Sequence, residues 1–71
     1  MLVIKIYKDE MDDPETPIIY FWVLHFHQKG RKICQSPEYL TESGCKKSAA
    51  RMAYILTPVC TVDTHIYGDG E

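Results

Sequence analysis

No two of the three cysteines, Cys34, Cys45 and Cys60, stand at the C-x-x-C spacing of a zinc knuckle or a redox pair. A disulfide-stapled secreted domain of this size carries more cysteines, in even numbers, so the chain has to fold on its hydrophobic core. The cysteines read as small buried apolar side chains. The longest strongly apolar run, Ile18 to Leu24, falls far short of the roughly 20 residues that cross a bilayer. The N-terminus lacks the basic, apolar and small-residue order of a secretion signal, and the expected location is the cytoplasm. Gly-rich phosphate loops, nucleophile elbows and an ordered Ser, His and Asp set are all missing. The sequence therefore supplies no catalytic residues and calls for no cofactor.

What is present is the composition of one small globular domain. The chain has 71 residues, 45% hydrophobic and 25% charged, enough for one core of modest stability and too apolar for a disordered chain. Net charge is −2, unevenly spread. Residues 1–17 sum to −3, residues 18–57 to +4 and residues 58–71 to −3. The middle block suits a local anion contact, while the whole chain repels a polyanion at long range.

Leu2 to Lys8 is β-branched and aromatic, with Leu2, Ile4 and Ile6 on one face, and reads as a strand. Asp9 to Pro17 holds five acids and two prolines, which makes it an acidic surface loop. Ile18 to His27 is the strongest strand signal. Tyr20, Trp22, Leu24 and Phe26 line one face, and Ile19, Phe21, Val23, His25 and His27 line the other. Apolar residues on both faces mark it as a central strand.

Gln28-Lys29-Gly30-Arg31 reads as a hairpin turn with Gly30 supplying a positive φ, and Lys32 to Ser36 as the returning strand. Cys45, Ala49, Met52, Ala53 and Leu56 recur at helical spacing, capped by Thr41 or Ser43 and stopped before Pro58, which predicts one helix of about 14 residues. Val59 to Tyr67 returns to β composition, and residues 68–71 read as a frayed tail. The expected fold class is α+β: an antiparallel sheet on one helix, in the order β(3)-α-β, spanning residues 1–71 as a single domain.

Ile6-Tyr7-Lys8-Asp9, Tyr20-Phe21-Trp22-Val23-Leu24, Gly30, Ile33, Ser36, Tyr39 and Thr41 follow one another as in the YegP-like family of small bacterial and archaeal proteins of unknown function, and the chain resembles that family over residues 3 to about 56. It departs in the longer acidic loop, in Ser48 where the family has a helical glycine, and in Glu42 where it has lysine. The resemblance implies a homodimer in which two copies build one sheet and exchange C-terminal strands.

A thin core and a last strand joined through Pro58 independently favour self-association. Val59, Thr61, Val62 and Ile66 of that strand, with Phe21 and Val23, are the candidate dimer contacts.

Three further constellations bear on chemistry. His25 and His27 stand two apart on one strand face, and His65 on the last strand is the third weak candidate for a metal ligand. Histidines near a hairpin tip are more commonly solvent-facing or packing groups. Lys29, Arg31 and Lys32 at the turn are anion-binding candidates. The acids of the 9–17 loop lack the central glycine and flanking helices of a calcium loop. These features lead to a homodimeric protein-interaction or structural module without catalytic activity, with the possibility of an unidentified protein partner and no membrane. The alternative is a nucleic-acid-binding accessory protein that uses the basic turn, although the acidic loop and tail argue against nucleic acid as a partner.

Overall fold

A computed structural model describes residues 1–10 and 13–68. Met11, Asp12 and residues 69–71, which include part of the acidic loop and most of the tail, lie outside the described residues. Four strands form a single sheet: β1 (Leu2–Asp9), β2 (Ile19–His25), β3 (Lys32–Gln35) and β4 (Cys60–Tyr67), ordered β3-β2-β1-β4. One helix, α1 (Glu42–Ile55), connects β3 to β4. The fold is α+β, as the apolar periodicities require.

The sheet is mixed, which corrects the expectation of an antiparallel one. β1 pairs antiparallel with β2, and β2 with β3, but β4 runs parallel to β1. The cause is the crossover. A helix of 14 residues spans about 21 Å and carries the chain back along the sheet, so the strand after it runs in the same direction as the strand before it.

β2 is central, as its two apolar faces predicted. On the helix side Ile4, Ile6, Trp22, Leu24 and Cys60 are buried together against Cys45 and Ala49 of α1. Met52, Ala53 and Leu56 complete the helical stripe as partly buried neighbours. Thr41 is the N-cap, and its hydroxyl accepts from the Gly44 N–H at 3.1 Å.

Polar side chains hold the helix to β2 and to the segment after β3. The Ser48 hydroxyl takes the Trp22 indole N–H at 3.0 Å and the Tyr39 hydroxyl at 2.7 Å. Ser36, read as part of the third strand, lies just beyond it. Its buried hydroxyl accepts the Trp22 main-chain N–H at 2.9 Å, and a Tyr20–Tyr39 bridge continues the alignment toward the helix start. Ser48 is thus a polar tie between helix and sheet.

Cys45 and Cys60 are buried and their thiols are pushed up by desolvation, but Cys34 is exposed. That corrects its reading as a core residue. Among the described residues α1 packs on β4, β1 and β2 and does not reach β3.

Gly30 does not adopt the positive φ expected of it. Space is what it provides: a Cβ there would stand 2.8 Å from the main-chain nitrogen of His27.

Replacing Ser48 by Ala leaves the Trp22 and Tyr39 donors without their shared acceptor. We expect a loss of about 1–3 kcal/mol in urea unfolding. A loss below 0.5 kcal/mol, roughly the scatter between exposed surface substitutions, would show that water replaces the serine.

Candidate functional site

The long axis of the molecule measures 40 Å, and its two ends differ in character. At one end β1, β3 and β4 begin, while β2 and α1 finish, a grouping given by the pairs Leu2–Cys60, Val3–His25 and His25–Lys32. Met1, Phe26, Ile33, Tyr54, Ile55 and Val59 are exposed here, Tyr54 at 79% and Ile55 at 66%. Ile18 and Leu40 are the large hydrophobic residues exposed at the other end among those described. Two links tie the patch to the fold: the Leu2 N–H donates to the Val59 carbonyl at 2.6 Å, and the Val59 N–H to that of Leu56 at 3.1 Å. Tyr54 and Ile55 were not singled out in the sequence. Their signal was there, as two large apolar residues off the buried stripe of the helix.

The hairpin loop between β2 and β3 sits at the same end. It is longer than the four-residue turn read from the sequence, because Phe26 and His27 leave the strand. Main-chain bonds run from Phe26 N–H to the Arg31 carbonyl (3.2 Å) and from Gly30 N–H to the His27 carbonyl (2.8 Å). The Gly30 carbonyl lies 3.1 Å from His25 Nδ1, which must carry the proton because a carbonyl only accepts. The Lys29 N–H donates to His27 Nδ1 at 3.3 Å. Lys29, Arg31 and Lys32 are all exposed, and the Lys32 ammonium donates to Gln35 Oε1 at 3.0 Å.

The loop is also tied to β4 across the helix-free face. Gln28 Nε2 donates to Asp63 Oδ2 at 2.9 Å and to the Tyr67 hydroxyl at 3.2 Å, and that hydroxyl donates to Asp63 Oδ2 at 2.7 Å. β1 lies between β2 and β4, so these bonds pass over it. An irregularity in β4 presents the acid. Ile4 pairs with Val62 but Ile6 with Ile66, which leaves Asp63, Thr64 and His65 opposite Lys5. The His65 N–H closes the bend on Asp63 Oδ1 at 3.0 Å.

Hydrogen bonds from Gln28, then Tyr67, then the His65 N–H hold the Asp63 carboxyl down to about 2. The bond to Asp63, with its negative charge, pushes the Tyr67 phenol up. Tyr67 also belongs to a row of rings: Phe21 stacks on Tyr7 at 5.4 Å, Tyr7 meets Tyr67 at 5.4 Å, His65 stands edge-on to Tyr67 at 4.5 Å, and the Lys5 ammonium lies 5.4 Å from the Tyr67 centroid.

The three histidines do not converge. His25 turns to Gly30, His27 to Lys29 and His65 to Tyr67, and no group of three or more His, Cys, Asp or Glu among the described residues is arranged to hold a metal. His25 Nε2 is buried without a hydrogen-bond partner among the described residues.

The candidate dimer contacts are also dispersed. Val62 and Ile66 pack on the helix-side core, Phe21 belongs to the ring row, Val23 is buried, Thr61 is exposed on β4, and Val59 lies in the apolar end patch.

No family model, curated protein or solved structure matches the chain.

The sign of the Asp63 contribution follows from its depressed folded value. It stabilises the fold at pH above the unfolded carboxylate value and is lost as pH falls from about 4 to about 2. Asp63→Asn should flatten this part of the stability–pH curve, read from Tm across that window. Parallel curves for the two proteins would show that the carboxylate is not preferentially bound in the folded state.

Proposed function

We propose that the chain acts as a protein-interaction or structural module without catalytic activity, and as the homodimer that its resemblance to the YegP-like family implies. The supporting observation is the apolar end, where Met1, Tyr54, Ile55 and Val59 stand exposed together on the β1, β4 and α1 side. Scattered apolar residues are ordinary on a protein surface, whereas a contiguous group points to a partner. Each 100 Å² of apolar surface removed from water there contributes about 2.5 kcal/mol before the costs of association.

Two copies meeting at this end would also bring their Leu56–Val59 connections together, the place from which β4 is exchanged in the strand-swapped form of the dimer. In that form Val62 and Ile66 make the same helix-side contacts, but on the partner's helix. Three free cysteines suit a reducing compartment such as the cytoplasm.

Light scattering coupled to size exclusion should give twice the 8.2 kDa chain mass at micromolar concentration. Ile55→Lys should give a folded monomer with unchanged far-UV circular dichroism. A wild-type chain that stays a folded monomer under these conditions contradicts the proposal.

A further inference from the structure

The fold separates the charges of the chain along its long axis. The hairpin cations Lys29, Arg31 and Lys32 stand at the apolar end, and Arg51 lies one turn before the end of α1 on the same side of the molecule. Asp9, Glu10, Asp13 and Glu15 follow the other end of β1, while Glu38 and Glu42 flank the start of the helix there. Two lysines of the acidic end are engaged by its own acids, Lys8 with Glu10 at 3.4 Å and Lys46 with Glu42 at 2.9 Å. Among the described residues the acids at one end repel a polyanion and the hairpin cations attract one, with the Asp63 carboxylate bonded to Gln28 as an opposing charge beside them.

We infer that the hairpin loop of residues 26–31, with Lys32, is a preorganised docking site for the phosphate backbone of double-stranded nucleic acid, beside the β1, β4 and α1 surface through which two copies would meet. The loop joins two antiparallel strands, and a duplex major groove of about 12 Å admits a two-stranded ribbon. Its shape is set before any ligand arrives by the internal bonds of the loop and by the absence of room for a side chain at Gly30. Gln28, held by Asp63 and Tyr67, acts as a positioning residue that ties the tip to β4.

The tip residues His27, Gln28, Lys29, Gly30 and Arg31 are polar or lack a side chain, and the exposed apolar pair Phe26 and Ile33 sits behind them at its base. A membrane-inserting loop would place apolar residues first, so the arrangement favours a phosphate backbone over a lipid surface. No base-reading geometry is implied, and the site is independent of sequence.

The test is fluorescence anisotropy of a labelled duplex of about 20 base pairs titrated with the full chain, from about 20 to 200 mM salt, over which phosphate contacts weaken steeply. Three phosphate contacts give a slope of log affinity on log salt of about −2.7 for each hairpin engaged. Lys29→Gln, Arg31→Gln and Lys32→Gln should each reduce that slope by about 1. Gln28→Leu should weaken binding by roughly 3- to 10-fold at unchanged slope, since it loosens the loop without removing a charge; each factor of ten corresponds to about 1.4 kcal/mol. Circular dichroism confirms that each variant is folded.

The inference is overturned if the wild-type chain leaves the duplex unshifted at the lowest salt. It is equally overturned if the triple glutamine variant binds as the wild type does. Binding to phosphatidylcholine–phosphatidylglycerol vesicles, but not to duplex, would assign the loop to an anionic lipid surface instead.

Discussion

Among the described residues, a single helix of 14 residues, about 21 Å long and about 10 Å across, is what covers one face of a four-stranded sheet whose strands lie about 4.8 Å apart. It reaches β4, β1 and β2, and most of the remaining structure can be traced to that limit. Cys45 and Ala49 are small, so the helix approaches Ile4, Ile6, Trp22 and Leu24 closely, and the burial is concentrated at the sheet centre. Ser48 sits on the same face and converts two donors that would otherwise be stranded, the Trp22 indole and the Tyr39 hydroxyl, into a polar link between helix and sheet. β3 receives no cover, which leaves Ile33 and Cys34 in water.

The helix-free face uses a different device. Instead of a second layer, it has a ring row from Phe21 through Tyr7 to Tyr67 and a hydrogen-bonded tie from Gln28 to Asp63 and Tyr67. The tie is possible because β4 is irregular between Val62 and Ile66, where the bend turns Asp63 toward the hairpin. The same irregularity disrupts the outer edge of β4, and β3 is only four residues long, so both edges of the sheet are poor templates for uncontrolled pairing. Among the described residues, six of the eight exposed large apolar side chains are gathered at one end, with Ile18 and Leu40 at the other.

Much of the fold was legible because its signals are local. The buried stripe of α1, the Thr41 cap, the alternation of β2 and the return of the chain after Gly30 all depend on residues within one turn or one hairpin of each other. The basic turn was equally visible, since Lys29, Arg31 and Lys32 are neighbours in the chain. The Asp63 network was not visible, because Gln28 lies 35 residues from Asp63 and 39 from Tyr67. Cys34 was misread for a related reason: residue type says that a cysteine favours burial, and it does not say whether anything covers the strand that carries it.

From the amino-acid sequence alone came one α+β domain, its element order, the core stripe of the helix and the uneven distribution of charge, all of which follow from periodicity and composition. Tertiary structure decided the direction of β4, set by the helix crossover, and the use of Gly30, set by the crowding of His27 against it. It also divided the charge blocks in space, setting the hairpin cations at one end and the acids after β1 and at the start of α1 at the other. A linear sequence holds the sign and order of its charges, but the separation between them in space exists only once the strands are paired.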